Sequence, residues 1–250
     1  MNRVLHGLRQ AHRFPEILRC RAATKSWVRL TAAYLGVPVQ LPFRIDLRSG
    51  PFEMRERQDP ATFWQVFFRE LYDVRPHDRL IVDAGANIGS FTLYALLCAP
   101  ESQVVAIEPA PDSCQRVRSM LREHGLSHRC ILHEVALDAV EGQTEMSLSA
   151  PSHCRTTGEG ETRVRTTTLD RVLQPYPRVD LLKMDTEGAE YAVFASTSPE
   201  TMRKIERIDL EYHPVGDPRR LFEQLGEHGF RLSKHDDQGY GYGTARLLRD

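Results

Sequence analysis

The stretch Leu80–Gly89 constrains the fold more than any other part of this chain. Its first half, Leu80–Asp83, is an apolar run that ends in an acid, which is typical of a parallel strand covered on both faces. Gly85 and Gly89 follow, and a helical run begins at Ser90. Glycines remove the side chains that would keep a ligand away, and the first helical turn offers free N–H groups. The sequence therefore predicts a nucleotide-type cofactor site at this turn.

Strand patterns and helix patterns alternate from Leu80 to the end of the chain. The predicted strands are Leu80–Asp83, Val104–Glu108, Ile131–Ala136, Val179–Met184, Ile208–Glu211, Phe230–Lys234 and Ala245–Leu248. The predicted helices are Ser90–Cys98, Asp112–His124, Ala189–Ala195 and Pro218–Glu227. Repeated alternation of this kind predicts an α/β fold with a doubly wound sheet and right-handed crossovers.

The alternation is interrupted between Val140 and Asp170. Within this interval, Glu141–Leu148 has the pattern of a hairpin arm, Pro151–Glu161 that of a polar loop, and Val164–Leu169 that of a short strand. An insertion of this length inside an α/β domain is usually functional. We expect substrate contacts in its loop.

The first 75 residues have a different organisation. Residues 1 to about 36 look helical, Leu41–Met54 reads as a strand, a turn and a second strand, and Ala61–Leu71 is a helix with a heavy apolar face. The aromatic residues of this last helix are predicted to be core rather than a sugar-binding platform: Phe63, Trp64, Phe67 and Phe68. We divide the chain into an N-terminal cap, residues 1–75, which shapes the substrate entrance, and a cofactor-binding catalytic domain, residues 76–250.

The overall composition narrows the choice of partners and compartment. The net charge is −1 and the pI is about 6.8, so no global field favours nucleic acid or an anionic membrane. The five cysteines are scattered without CxxC spacing, which indicates reduced thiols in the cytoplasm rather than zinc ligands or disulfides. No apolar run is long enough for a membrane span. The arginine-rich segment Met1–Leu30 is either a helix packed on the domain or a basic helix for peripheral contact with a membrane or an anionic partner.

The residues around the glycine turn indicate which cofactor is bound. A dinucleotide site would have a glycine between Gly85 and Gly89, and it would not place the carboxylate of Asp83 where a pyrophosphate rests. A buried acid instead favours a cofactor with an amino group and no phosphate, such as S-adenosylmethionine. Glu108, which ends the second predicted strand about 20 residues later, is placed to bind both ribose hydroxyls. Either of two further acids is a candidate for the adenine end of the site: Glu134 or Asp138.

A second group of ionisable residues lies at the ends of two later strands. Leu181–Glu190 reads LLKMDTEGAE, so that Lys183, Asp185 and Glu187 reach the carboxyl edge of the sheet beside the cofactor crevice. Glu190 falls in the first turn of the next helix, where the helix dipole favours an acid, and this gives it a structural role. The neighbouring strand ends in Glu211 and His213. A histidine at such a position is a candidate base.

Together these motifs resemble the FkbM family of S-adenosylmethionine-dependent methyltransferases, from about Leu80 to His213. The resemblance implies a class I methyltransferase fold, a Rossmann-like sheet of seven strands with the last one antiparallel. It also implies methyl transfer to a hydroxyl of a sugar, glycolipid or other natural product. By position, the methionine moiety and ribose would be held by Asp83, Gly85, Ala86, Asn87, Gly89, Glu108 and Pro109. The reaction centre would be lined by Asp185, which also adjoins the cofactor, and by Glu187, Glu211 and His213.

The mechanism expected from these residues is in-line displacement at the sulfonium methyl by a substrate hydroxyl. His213 is the first choice as base because the ordinary pKa of histidine lies near working pH, and Asp185 is the second. Lys183 would serve only with a lowered pKa; an ion pair with Glu187 is the other reading. Asp185, Glu187 and Glu211 would also suit Mg²⁺, although the spacing does not require it. The rival functions are an NAD-dependent oxidoreductase and a non-catalytic cofactor-binding module.

Overall fold

The computed structural model describes residues 14–69, 71–147, 160 and 162–250. The helices in these ranges are α1 (Phe14–Ala23), α2 (Trp27–Tyr34), α3 (Asp59–Phe67), α4 (Ser90–Cys98), α5 (Pro111–Glu123), α6 (Leu169–Leu173), α7 (Glu190–Ser196), α8 (Pro199–Arg203) and α9 (Pro218–Glu227). The strands are β1 (Phe43–Leu47), β2 (Gly50–Met54), β3 (Leu80–Ala84), β4 (Gln103–Ile107), β5 (Cys130–His133), β6 (Ala136–Leu137), β7 (Gly142–Met146), β8 (Thr162–Thr167), β9 (Leu181–Met184), β10 (Arg207–Tyr212), β11 (Phe230–Gly239) and β12 (Tyr242–Arg249).

A seven-stranded sheet forms the centre of the molecule, with strand order β11-β12-β10-β9-β3-β4-β5. Five adjacent strands run parallel to one another: β5, β4, β3, β9 and β10. Strand β12 is antiparallel to both of its neighbours, β10 and β11. Successive residues of a strand point to opposite faces. In β3, Ile81 packs into one hydrophobic cluster and Val82 into another, so both faces are buried. The predicted doubly wound α/β sheet with an antiparallel last strand is confirmed.

The cap shares a hydrophobic core with one face of this sheet. Helices α1 to α3 and the β1–β2 hairpin contribute to the same cluster as Ile81, Phe91 and Val104. Phe63 and Trp64 are fully buried there, and Phe68 is 1% exposed. The aromatic residues of α3 are therefore core, as predicted. The division of the chain at residue 75 remains a prediction.

The N-terminal helix predicted to run to residue 36 is interrupted in the structure. Thr24 lies between α1 and α2 and forms an isolated antiparallel β-bridge with Leu47. Its hydroxyl accepts a hydrogen bond from the backbone N–H of Ser26 at 3.1 Å. Residues 1–13 lie outside the described residues. Among the described residues, every helix is too short or too polar to cross a bilayer.

The predicted insertion forms a second, smaller sheet. Strands β7 and β8 pair antiparallel, and β6 adds to β8 in parallel. The predicted strand Ile131–Ala136 is thus divided, since β5 belongs to the central sheet and β6 to the small one. Apart from Gly160, the predicted loop Pro151–Glu161 lies outside the described residues.

A row of alternating charges crosses four neighbouring strands of the central sheet. Asp83 is in register with Lys183, Lys183 with Asp209, and Asp209 with Arg246. These residues point to the cap face, because they alternate with residues that pack on the opposite face. Lys183 Nζ lies 3.2 Å from Asp83 Oδ1, and Arg246 Nε donates to Asp209 Oδ1 at 2.7 Å. The row thus consists of two ion pairs on the cap face, Asp83 with Lys183 and Asp209 with Arg246.

Replacing Lys183 tests how much this row contributes to stability. Lys183→Met leaves the fully buried carboxylate of Asp83 without its cation. We expect the free energy of unfolding in urea to fall by about 3–5 kcal/mol, the usual effect of removing one partner of a buried ion pair. The exposed Lys234→Met is the matched control and should change stability by less than about 0.5 kcal/mol. Equal stabilities for the two variants would contradict this role.

Candidate active site

The glycine turn after β3 is pressed against the turn after β9. Gly85 has φ +80°, and a Cβ built on it would lie 1.7 Å from the backbone oxygen of Asp185. Gly89 has φ +84° and immediately precedes α4. Asn87 between them is also left-handed, with φ +49°. The sequence needs glycine at position 85 because no side chain fits between the two turns.

Asp83 lies beneath this turn rather than in the cleft above it. Its side chain is fully buried, Thr92 Oγ1 donates to it at 2.6 Å, and Lys183 forms the ion pair described above. Lys183 Nζ also donates to the backbone oxygen of Gly85 at 2.6 Å. Asp83 therefore holds the turn through Lys183, and its contact with a methionine moiety stays a prediction.

A cleft opens at the carboxyl ends of β3, β4 and β9. It encloses about 560 Å³ when its open mouth is included. Its lining is made of Gly85, Asn87, Ile107, Glu108, Pro109, Val135, Ala136, Leu137, Met146, Asp185, Thr186, Glu187 and Ala189. Most of these residues come from the strand ends predicted from the sequence, and Met146 comes from the insertion.

Glu108 connects the two sides of the cleft. One carboxylate oxygen accepts from the backbone N–H of Asn87 at 2.8 Å, and the other accepts from the N–H of Ala110 at 3.0 Å. Burial raises the pKa of Glu108 to about 7, against the opposing effect of these two hydrogen bonds. Each oxygen retains a lone pair for a further donor, as a pair of ribose hydroxyls would require.

Three buried polar atoms at the glycine turn make no hydrogen bond within the described part of the chain, and of their residues only Asn87 lines the cleft: Asp83 Oδ1, Asn87 Oδ1 and Ser90 Oγ. Buried polar atoms are normally hydrogen-bonded, so unpaired ones at a cleft indicate a missing partner. Together with the glycine turn and Glu108, they fit a cofactor that carries an amino group, a carboxylate and a ribose. Ala86, which was predicted to contact the cofactor, is buried and donates its N–H to Ile107 O at 3.0 Å.

The two acids predicted as alternatives for the adenine end both point elsewhere. Glu134 pairs with Arg118, and Asp138 accepts a hydrogen bond from the N–H of Ala139 at 2.6 Å. The segment between them, Val135–Leu137, lines the cleft instead. Its apolar side chains offer a surface for a flat aromatic ring.

Asp185 and Glu211 come together at the edge of the sheet. Each follows a member of the charged row by two residues, Lys183 and Asp209 respectively, and so points to the same face. Burial is the largest cause that raises the pKa of both carboxyls, and it brings Glu211 to about 8 with the help of the Asp185 charge. Lys183 Nζ lies 3.6 Å from Asp185 Oδ2 and opposes the shift. The two acids form a pair that retains a proton near neutral pH.

His213 is clamped between two other carboxylates. Its Nδ1 lies 2.7 Å from Glu190 Oε1, and its Nε2 lies 3.2 Å from Glu187 Oε2. Burial lowers the pKa of His213, but the hydrogen bonds to Glu187 and Glu190 outweigh it and raise the pKa to about 11. The expectation that His213 acts as base with an ordinary pKa is therefore wrong for this arrangement, since the ring is already protonated at neutral pH.

Two roles were considered for Lys183, a base with a lowered pKa and an ion-pair partner of Glu187. Burial lowers its pKa, but Asp83 and Asp185 outweigh burial and the net shift is upward. A lysine with a raised pKa is a cation and not a base. Its ion-pair partners are Asp83 and Asp185 rather than Glu187, which pairs with His213.

A divalent cation does not fit the groups at this edge. Ligand atoms of Asp185, Glu211 and His213 lie within 4.8 Å of one another. However, both ring nitrogens of His213 already face carboxylates, and metal ligation needs a neutral imidazole with a free nitrogen. The residues present therefore favour retention of the His213 proton over metal binding.

Glu190 contributes more than its position in the first helical turn predicts. It is fully buried and accepts four hydrogen bonds, from Thr186 Oγ1, the N–H of Gly188, and the N–H and Nδ1 of His213. It thereby fixes the β9 turn to the end of β10. Sequence reasoning also missed Thr92, because it belongs to no motif with recognisable spacing.

A substitution at Gly85 tests the contact between the two turns. In Gly85→Ala, the new methyl group overlaps the Asp185 carbonyl and the residue must keep a positive φ. We expect a loss of more than about 2 kcal/mol in the free energy of unfolding. Gly226→Ala in α9 is the control, since its Cβ meets nothing within 4 Å, and it should stabilise by about 0.5–1 kcal/mol. Urea denaturation of both variants measures the difference, and equal effects would contradict the turn geometry.

Comparison with known proteins places this site in a family. The Methyltransferase FkbM domain matches residues 83–232 of the chain. Methyltransferase 1 of Beauveria bassiana (strain ARSEF 2860) is 30% identical over 175 residues, which cover 59% of this chain and 70% of that protein. Hexuronic acid methyltransferase AglP of Haloferax volcanii is 23% identical over 168 residues, which cover 65% of this chain and 68% of that protein.

A solved structure agrees with the fold. The crystal structure of Methyltransferase FkbM from Methylobacillus flagellatus KT superposes with a TM-score of 0.55 and 16% identity, over 74% of this chain and 48% of that one. The chain thus spans about half the length of that structure. The domain match covers more than half of the 250 residues, and the resemblance seen in the motifs is confirmed. This chain belongs to the Methyltransferase FkbM domain family.

Proposed function

We propose that this methyltransferase moves the methyl group of S-adenosylmethionine to a hydroxyl oxygen of a sugar, glycolipid or other natural product. The observation that carries the proposal is the approach of the half-buried Asp185 and Glu211, whose carboxylate oxygens lie within 4.8 Å of one another at the carboxyl edge of the sheet. Burial and the charge of Asp185 raise the pKa of Glu211 to about 8. Methyl transfer to a hydroxyl oxygen needs a base that removes the hydroxyl proton, and we assign that role to this pair. The name of the Haloferax relative, a hexuronic acid methyltransferase, supports a sugar among the acceptors to be tried.

Different residues of the cleft are placed to contact different parts of the cofactor. Glu108 is placed to accept hydrogen bonds from ribose hydroxyls, and Val135–Leu137 to cover the adenine. Asn87 Oδ1, which lines the cleft without a hydrogen-bond partner, is available to accept a hydrogen bond from the amino group of the methionine end. When bound, S-adenosylmethionine supplies an electrophilic methyl group on a positively charged sulfur. The nearby carboxylates of Asp185 and Glu187 favour that positive charge.

Glu211 is the residue that we assign to proton removal. A base works best when its pKa lies near the operating pH, and Glu211 has a pKa of about 8. As the acceptor oxygen attacks the methyl group, its proton passes to a Glu211 carboxylate oxygen, with Asp185 sharing the charge. His213 stays protonated between Glu187 and Glu190 and positions the end of β10. His213 thus affects the reaction indirectly, because it positions the end of β10, where Glu211 lies two residues earlier.

The compartment and other partners remain predictions from composition. A cytoplasmic location and the absence of nucleic acid among the partners follow from the scattered cysteines and the small net charge. Peripheral contact through the basic N-terminus also stays a prediction, because residues 1–13 lie outside the described residues.

Cofactor binding is tested by calorimetry with S-adenosylmethionine and with NAD. We expect a heat of binding with S-adenosylmethionine and none with NAD. Glu108→Ala removes the carboxylate that faces the ribose and should weaken S-adenosylmethionine binding by about 10- to 100-fold, as loss of hydrogen bonds to a charged group implies. Glu101→Ala, an exposed acid paired with Arg79, is the control and should bind as the wild type does. Binding of NAD alone would favour the oxidoreductase.

The identity of the base is tested by the pH dependence of methyl transfer. The assay follows transfer of a labelled methyl group from S-adenosylmethionine to a panel of hexuronic acids, neutral glycosides and simple alcohols. For any acceptor that reacts, kcat/KM should rise with pH and level off above about 8, since Glu211 must lose its proton before it can accept another. Glu211→Gln should lower kcat by about 10²- to 10⁴-fold, whereas the exposed Glu227→Gln should not. An inflection near the ordinary histidine pKa of 6.5 would instead restore His213 as base.

A further inference from the structure

We infer that the tip of the β11–β12 hairpin binds the sugar ring of a neutral glycoside acceptor, with the exposed rings of Tyr240 and Tyr242 as the contact surface. This inference rests on the proposed function and names both the class of acceptor and a place where it binds. Both tyrosines lie outside the region that matches the family, residues 83–232. The contact surface is therefore a feature of this chain rather than of the shared domain.

The hairpin tip lies at the same edge of the sheet as the reaction centre. Strand β12 is antiparallel to β10, and its residue Gly243 is in register with the last residue of β10. The ring of Tyr242 contacts the ring of His213, with centroids 5.7 Å apart and an interplanar angle of 78°. Ligand atoms of His213, Asp185 and Glu211 lie within 4.8 Å of one another. A single side chain thus separates Tyr242 from the acid pair.

Two further contacts join this tip to the edge of the cofactor cleft. A Cβ built on Gly241 would lie 3.0 Å from Pro214 Cβ, and one built on Gly188 would lie 3.2 Å from Val215 Cγ1. The loop after β10 therefore packs between the hairpin tip and the turn after β9. That turn includes Glu187, which lines the cleft. An apolar and aromatic surface thus runs from the edge of the cleft to the tip.

The side chains of this surface are exposed although they are large. Val215 is 63% exposed, Tyr240 98% and Tyr242 45%. Tyr240 also has a positive φ of +54°, and Gly241 has φ +81°, in the two-residue turn between Gly239 and Tyr242. Such a turn favours asparagine or glycine at its first position and disfavours a bulky residue. Folding gives no reason for an aromatic ring at position 240, whereas contact with a ligand does.

A sugar ring has the chemistry that fits exposed tyrosines beside a base. One face of a pyranose consists of C–H groups, which pack against the electron-rich face of an aromatic ring. The hydroxyls lie around the rim of the sugar and stay available. A sugar held on the tip therefore has hydroxyls that can reach toward the acid pair beyond His213.

The charge of the reaction centre favours a neutral acceptor over an anionic one. The described ionisable groups at the ends of β9 and β10 are four acids and two cations: Asp185, Glu187, Glu190, Glu211, Lys183 and His213. This excess of negative charge repels a carboxylated sugar and has little effect on a neutral one. Neutral glycosides should therefore react with a higher kcat/KM than hexuronic acids.

The test uses Tyr240→Asn, which removes the exposed ring and suits the positive φ of the turn. With a neutral glycoside that the wild type methylates, KM should rise by about 3- to 10-fold, the effect of losing one aromatic contact, and kcat should stay unchanged. With a simple alcohol that has no sugar ring, neither constant should change. Tyr240→Phe keeps the ring and should keep the wild-type KM. Val28→Asn, at a 61% exposed position of α2, is the control and should keep wild-type kinetics.

Binding without catalysis is measured by calorimetry on the S-adenosylhomocysteine complex. The glycoside should bind the Tyr240→Asn complex more weakly than the wild-type complex, while the affinity for S-adenosylhomocysteine stays unchanged and the midpoint of thermal unfolding does not fall. A wild-type KM for the glycoside in Tyr240→Asn, or an equal loss with the simple alcohol, would overturn this inference and leave the proposed function standing. A wild-type preference for hexuronic acids or simple alcohols over neutral glycosides would do the same. Failure of the wild type to methylate any hydroxyl would overturn both.

Discussion

The ion pair between Asp83 and Lys183 is the interaction on which the rest of the site depends. It joins β3 and β9 one residue before their carboxyl ends, in a buried position. Lys183 then donates to the backbone of the glycine turn and approaches Asp185, so a single buried cation touches both halves of the site. A buried charge is stable only when it is paired, and each of these groups therefore requires the others.

The same row of charges extends to the cap. Asp209 and Arg246 continue it across the next two strands and accept or donate the hydrogen bonds that attach residues 71–73. The cap is thus joined to the sheet by polar contacts with this row and by an apolar core.

Sequence reasoning predicted the elements of the central sheet well and side-chain protonation poorly, and the roles of the motif residues stay predictions. The alternation of β and α patterns was enough for the sheet, and the glycine spacing was enough for the turn at Gly85. Asp83 was expected in the cleft because a strand-end acid usually faces a ligand. Its register with Lys183, which buries it, depends on strand pairing that no local pattern reports. The pKa of His213 likewise depends on Glu187 and Glu190, which approach it only when the β9 turn folds back over the end of β10.

The most direct measurement is a crystal structure of the protein with S-adenosylhomocysteine bound. The ribose hydroxyls should lie within hydrogen-bonding distance of Glu108, and the sulfur should face Asp185 and Glu211. That geometry would place an acceptor oxygen in line with the transferred methyl group and within reach of the acid pair. A sulfur that faces away from Asp185 and Glu211, or a cofactor bound outside this cleft, would contradict the assignment of these residues to methyl transfer.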